Sequence, residues 1–149
     1  MSHCYLGFDF GLSRIGVAVG QQLTGTAQAL TTLHNIQQKP DWAAIEKLIT
    51  EWQPDALIIG VPYHMDGTEQ DITHAARKFG RQLHGRFQLP VYEMDERLSS
   101  REAEAEISRQ RAAGLRKKSR KGDVDKMAAQ IILQSWIQQQ EHLKHERSE

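Results

Sequence analysis

The chain has 149 residues, 39% of them hydrophobic and 26% charged, with 19 Lys and Arg balanced by 19 Asp and Glu. That is enough chain for one core and too apolar for a disordered polymer, and the zero net charge means that any nucleic-acid role must rest on local clusters. No apolar stretch is long enough for a transmembrane helix, Met1-Ser2-His3-Cys4 lacks the look of a secretory signal, and a single cysteine excludes an internal disulfide or a multi-cysteine zinc site, so a cytoplasmic protein is expected.

Residues 5–10 form a short apolar run that predicts a first strand, Gly11-Leu12-Ser13-Arg14 a turn, and the β-branched residues 15–20 a strand that pairs back as a hairpin. Thr26 to His34 predicts a third strand. Pro40 and Asp41 open a helix whose apolar positions Trp42, Ile45, Leu48, Ile49 and Trp52 recur at helical spacing until Pro54-Asp55 breaks it. Residues 56–60 are continuously apolar between turn signals, the pattern of a strand covered on both faces. A helix over 70–87, a strand over 89–94, a helix over 99–113 capped by Ser99 or Ser100, and a helix over 123–140 with Asp123 as N-cap complete the chain. Residues 138–149 are polar and mixed in charge, which predicts a fraying end or tail on a single domain spanning 1–149. This order predicts an α/β fold: a mixed central sheet of three antiparallel strands followed by parallel strands, flanked by helices. Sites in such sheets sit where strands end.

Three acidic positions fall at such places. Asp9 interrupts an apolar strand between Phe8 and Phe10, where a lone carboxylate is costly without partners; it either caps the turn or pairs with Arg14, or it belongs to a site. The bracketing Gly7 and Gly11 admit close approach of a phosphate or of another backbone. Asp95 and Glu96 follow the strand that ends at Met94; adjacent residues point to opposite faces, so only one of them shares a site with Asp9. Asp125 sits on the first turn of the last helix, on the same face as Ala128, Ala129 and Ile132, and so on a close-packed stripe. Carboxylates converging without balancing base repel one another unless a hard cation joins them, and Mg²⁺ or Mn²⁺ in such a setting suits phosphodiester hydrolysis. Between Arg109 and Lys121 stand seven basic residues and no acid, among them Arg116, Lys117, Lys118 and Arg120, a candidate contact for nucleic-acid backbone together with Arg14 and Arg97. Gly60, Pro62, His64, Asp66 and Gly67 form a loop after the buried strand that lines the same pocket; Asp66-Gly67 reads first as a turn.

Taken together, Gly7-Phe8-Asp9-Phe10-Gly11 with Arg14 to Ala18, Ile59-Gly60-Val61-Pro62 with Met65 to Gln70, Asp95 to Ser99, and Val124 to Ala129 resemble the YqgF (RuvX) family, pre-16S rRNA nucleases related to Holliday-junction resolvases. The resemblance runs from about Leu6 to Trp136. It implies an RNase H-like fold, a cytoplasmic location and a Mg²⁺- or Mn²⁺-dependent endonuclease that matures the 5′ end of 16S rRNA, with ribosomal particles as the setting. It carries the catalytic and metal-holding roles onto Asp9, Glu96 and Asp125, with Asp95 as the alternative to Glu96. One departure is His64, where the family usually shows Asn. A resolvase acting on four-way DNA is the near alternative. It cuts symmetrically and so needs a dimer, whereas RNA processing suits a monomer or weak homodimer. A non-catalytic ribosome-assembly factor is a further class, against which the intact acids argue. An actin-like phosphotransferase, suggested by the first motif alone, needs a second half for which the chain has no room.

Overall fold

The computed structural model describes residues 3–98, 105, 107–109 and 121–147. Five strands form one sheet: β1 (Cys4–Phe10), β2 (Arg14–Gln21), β3 (Thr26–His34), β4 (Ala56–Val61) and β5 (Val91–Asp95), in the order β3-β2-β1-β4-β5. β3, β2 and β1 are antiparallel neighbours, while β4 and β5 run parallel to β1, as the hairpin followed by crossover helices predicts. β4 is buried along its whole length because both faces of the sheet are covered.

Strand alternation sorts the core into two layers. Leu6 and Phe8 of β1 meet Ile45 of α1 (Trp42–Trp52) and Phe79 and Leu83 of α2 (Asp71–Phe87) on one face. Tyr5 of β1 and Met94 of β5 meet Ala129, Ile132, Leu133 and Trp136 of α3 (Lys121–Arg147) on the other. Asp41 caps α1 by accepting from the Ala44 N–H at 3.2 Å, and Gln53 closes the helix in the left-handed conformation just before Pro54. At the start of α2 the Thr73 hydroxyl accepts from the Gln70 N–H and donates to the Pro62 carbonyl, tying the helix to the loop after β4. No helix among the described residues is long and apolar enough to cross a membrane.

Most strand and helix ends fall within a residue of the sequence reading; the last strand and the last helix differ by more. The last strand is Val91–Asp95 rather than 89–94: its pairing with β4 opens at the Pro90 carbonyl, which accepts from the Leu57 N–H at 2.9 Å, and continues to Val61 opposite Asp95, so Asp95 lies inside the strand. α3 begins at Lys121 and runs to Arg147, past the expected end at Gln140, so Asp123 is inside the helix rather than its N-cap, Asp125 is in the second turn rather than the first, and residues 138–147 continue the helix. The Gln, Glu, Lys and Arg of that segment are good helix formers, and nothing there breaks the helix. The helix expected over 99–113 falls mostly outside the described residues, although Ala105 and residues 107–109 are helical and Ile107 is buried.

α3 also protects the edge of the sheet. Gln134 accepts from the Ala27 N–H and donates to the Gly25 carbonyl, both at 2.8 Å, and Gln130 donates to the Ala27 carbonyl at 2.9 Å. These glutamines take the place of the missing neighbour of β3. Gln134→Leu leaves the buried Ala27 amide unpaired, with an expected loss of about 1–3 kcal/mol. The urea midpoint measures it, and an unchanged midpoint would mean the clamp contributes nothing.

Candidate active site

Asp9 reaches the α3 side of the sheet by simple alternation, being in phase with Tyr5 and Gly7 and out of phase with Leu6 and Phe8. It stands half-buried near the C-terminal end of β1, opposite Gly16 of β2 and Gly60 of β4. The close approach permitted at Gly7 is used by α3, since a Cβ there would lie 2.8 Å from the Leu133 Cβ.

β5 decides between the two adjacent acids. Tyr92 stacks on Trp136 at 5.5 Å and Met94 is buried with α3; the chain then leaves the strand in a single 3-10 turn, Glu96–Leu98, whose first side chain lies on the same side as Met94. Its Oε1 lies 2.9 Å from where a Gly60 Cβ would be, over the β4 residue that pairs with Asp9. Glu93 and Asp95 turn the other way: Glu93 Oε2 is 3.3 Å from Arg77 Nε, and Asp95 Oδ2 is 2.6 Å from Arg97 Nη2. Asp95 also accepts from the Arg97 backbone N–H at 2.9 Å, and these Arg97 hydrogen bonds hold its carboxyl below the usual range.

Asp125 arrives from α3. Its carboxylate accepts from Arg14 Nε at 2.6 Å, across 111 residues of sequence. Arg14 thus pairs with Asp125 and not with Asp9. Asp9 and Glu96 hydrogen-bond to each other, and the Asp9 carboxyl is pushed up to about 8, first by burial, then by the charge of Glu96 and the hydrogen bond to it, and last by the charge of Asp125. Three acids thus share one end of the sheet with Arg14 as the cation paired to one of them, and a proton on Asp9 relieves the remaining repulsion. Among the described residues no three His, Cys, Asp or Glu side chains stand ready as a metal-ligand set, Asp125 being turned to Arg14. The donor chemistry nevertheless suits a hard divalent cation: all oxygens, excess negative charge, and a proton that a cation would replace.

The loop after β4 is largely self-contained. Pro62 presents its carbonyl to Thr73, His64 is exposed, and the His64 carbonyl accepts from the Gly67 N–H at 2.9 Å. Asp66 accepts from the Thr68 N–H at 2.9 Å and the Thr68 hydroxyl at 2.6 Å, so it forms the turn; those hydrogen bonds lower its pKa. Gly67, at φ +90°, rests near the guanidinium of Arg97. Of the expected basic contacts, Arg14 and Arg97 are each held by an acid, Lys121 opens α3, and Arg116, Lys117, Lys118 and Arg120 lie outside the described residues. The sequence reading missed Tyr63 and Arg77. The guanidinium of Arg97 stands 5.4 Å from the Tyr63 ring centroid and that of Arg77 5.5 Å from it. The available signal was an acid-free run, residues 72–92, that contains Arg77.

The profile of the RuvX family, described as Holliday junction resolvase, matches residues 3–139. The chain belongs to the RuvX family. The relative of this RuvX chain in Aeromonas salmonicida is 50% identical over 139 residues, 93% of this chain and 97% of its own length, and that in Nitrosococcus oceani is 49% identical over 140 residues, 94% and 90%; each bears the name "Putative pre-16S rRNA nuclease". In fold the RuvX chain is similar to T. thermophilus RuvC in complex with a Holliday junction substrate, with a TM-score of 0.61 and 15% identity over 92% of this chain and 96% of that one. It is similar also to the yeast mitochondrial Holliday junction resolvase, with a TM-score of 0.61 and 12% identity over 97% and 81%. The architecture is RNase H-like, and the RuvX chain is a nuclease whose substrate is nucleic acid.

Within this RuvX chain, Gly16 sets how close α3 can come. A Cβ at position 16 would lie 2.0 Å from the backbone oxygen of Asp125, which must then move with its helix. Gly16→Ala is expected to cost about 1–3 kcal/mol by overpacking and to lower cleavage, because it displaces Asp125 from its place beside Arg14. Thermal melts and cleavage rates at saturating metal check both; unchanged values would mean the helix shifts freely.

Proposed function

We propose that this RuvX-family nuclease, acting as a single RNase H-like domain in the cytoplasm, hydrolyses phosphodiester bonds at Asp9, Glu96 and Asp125 with Mg²⁺ or Mn²⁺, and that its substrate is the 5′ precursor segment of 16S rRNA. The observation that carries the site is the Asp9–Glu96 pair: two carboxylates brought together against their own repulsion, with the Asp9 carboxyl pushed up to about 8. So costly an arrangement fits a role that uses the charge. The substrate rests on the names of the relatives at 50% and 49% identity.

Asp9, Glu96 and Asp125 are the residues that would hold the metal, which when bound lowers the pKa of its water and neutralises charge on the phosphate. The chain itself provides orientation. Arg14 holds the Asp125 carboxylate in one direction, through Nε at 2.6 Å. Gly60 leaves the space that the Glu96 carboxylate occupies beside Asp9. Asp95 holds Arg97 close to the loop at Gly67, at the rim where a phosphate backbone would enter. The basic residues Arg116, Lys117, Lys118, Arg120 and Lys121 bind the flanking backbone in this reading.

A four-way DNA junction is the second reading, favoured by the family description and requiring a dimer that presents two sites. One assay separates them. Purified protein is incubated with a 16S precursor RNA or a synthetic four-way junction, in Mn²⁺, Mg²⁺ or EDTA. Metal-dependent cutting of the RNA, abolished by EDTA, is expected from a monomer or weak homodimer. Cutting of the junction alone, by a stable dimer, transfers the site to the resolvase reading. Cleavage that persists in EDTA removes the metal from the proposal.

A further inference from the structure

The outer face of α2 is basic, and nothing in the carboxylate site uses it. Residues 72–92 include Arg77, Lys78, Arg81 and Arg86, with His74 and His84, and no Asp or Glu. At helical spacing His74, Arg77, Lys78, Arg81 and His84 fall on one side of α2, within about 120° of arc and over about 15 Å of its length. Arg77 is half-buried and the other four are exposed. A groove of about 1010 Å³ runs between this face and the sheet-edge strand β5, lined by Arg77, Arg81, His84, Pro90, Tyr92 and Glu93.

The compensating acids are unevenly placed. Glu69 takes Arg77 Nη1 at 2.6 Å and His74 Nε2 at 3.2 Å, and Glu93 takes Arg77 Nε at 3.3 Å. Lys78 and Arg81 have no acidic partner among the described residues. They stand three residues apart on the helix, so their side chains are neighbours. The strip is also continuous with the site. Arg97, held at the end of β5, and Arg77, on α2, both lie against the Tyr63 ring, at 5.4 and 5.5 Å. α2 leaves the loop at the C-terminal end of β4, so its first turns lie on the site's side of the molecule and Lys78 and Arg81 follow down the helix. A polyanion entering at the carboxylates and turning round the β5 edge meets Arg97, then Arg77, then Lys78 and Arg81.

We propose that Lys78 and Arg81, on the outer face of α2 with Arg81 lining the groove to β5, bind backbone phosphates of the nucleic acid whose scissile bond lies at the carboxylate site. This makes α2 a second backbone contact, on the other face of the sheet from α3, and it rests on the proposed function for the identity of the polyanion. Because the contact is to phosphate, it is sequence-independent and salt-dependent.

The test is the salt dependence of binding to a labelled RNA hairpin carrying the 5′ precursor segment of 16S rRNA, in EDTA, between about 50 and about 200 mM salt. The double variant Lys78→Ala with Arg81→Ala is compared with wild type and with Lys47→Ala on the exposed face of α1. The double variant is expected to bind more weakly at low salt and to have a log–log slope smaller by about 1.4–1.8, so that it loses roughly tenfold less affinity across the range. Lys47→Ala is expected to keep the wild-type slope. An unchanged slope in the double variant, or an equal drop in Lys47→Ala, overturns the strip. A reduced slope in a protein that shows no metal-dependent cleavage supports the strip and overturns the nuclease site, while cleavage with an unchanged slope does the reverse. Absence of any RNA binding by wild type overturns both.

Discussion

Asp9→Asn is expected to reduce cleavage of the precursor RNA by on the order of 10³-fold or more, about 4 kcal/mol of transition-state stabilisation. The amide keeps the shape of the carboxyl but brings no negative charge to a cation beside Glu96, and it is a poor ligand for a hard metal. Glu96→Gln and Asp125→Asn are expected to fall in the same range. Asp95→Asn is the informative contrast. Asp95 points away from Asp9 and holds Arg97, so its loss is expected to cost no more than about tenfold to a hundredfold, the size of an orienting contact. Single-turnover rates at saturating Mn²⁺ measure all four. Wild-type cutting by Asp9→Asn or Asp125→Asn would remove those residues from the site, and equal losses at Asp95 and Glu96 would show that nearness to Asp9 does not separate them.

The second large effect is on stability and has a definite sign. In the unfolded chain an Asp titrates near 3.9, whereas the folded Asp9 carboxyl is pushed up to about 8. Between these two pH values the native state keeps a proton that the unfolded chain has lost. Stability from this group is therefore complete below about pH 4, declines as pH rises, and levels off above about pH 8, with a slope of at most about 1.4 kcal/mol per pH unit. In EDTA the wild type is expected to melt lower at pH 8 than at pH 5. Asp9→Asn removes this slope and is expected to be more stable than wild type at pH 8 by on the order of 2–5 kcal/mol. Added Mg²⁺ is expected to raise the wild-type melting temperature at pH 8 and leave the variant nearly unmoved, because the cation replaces the proton as the partner of the carboxylates. Parallel melting profiles of the two proteins from pH 5 to 8 would show that Asp9 carries no such strain.

Much of the architecture was legible in local pattern. β3 has the bounds that its composition suggests, β4 is the doubly covered strand that its unbroken apolar run demands, and the Asp41 cap and Pro54 stop bound α1 where hydrophobic spacing places it. These features depend on neighbours in sequence, and local sterics and periodicity suffice to specify them. Asp9 stood out for the same reason, as a charge within an apolar strand. The length of α3 beyond Gln140 follows from helix propensity rather than from burial, and the acid-free run of α2 is visible in the sequence itself. What the sequence left open was the side-chain pairing between distant segments. Which of Asp95 and Glu96 lies next to Asp9 depends on how the chain turns at the end of β5, where Asp95 goes to Arg97 and Glu96 to Gly60. The partner of Arg14 proved to be Asp125, 111 residues away, and the room for Glu96 beside Asp9 comes from Gly60 on a third strand. Contacts of this kind are set by sheet register and by the depth at which α3 packs. Both emerge only when the two hydrophobic layers close on the sheet together.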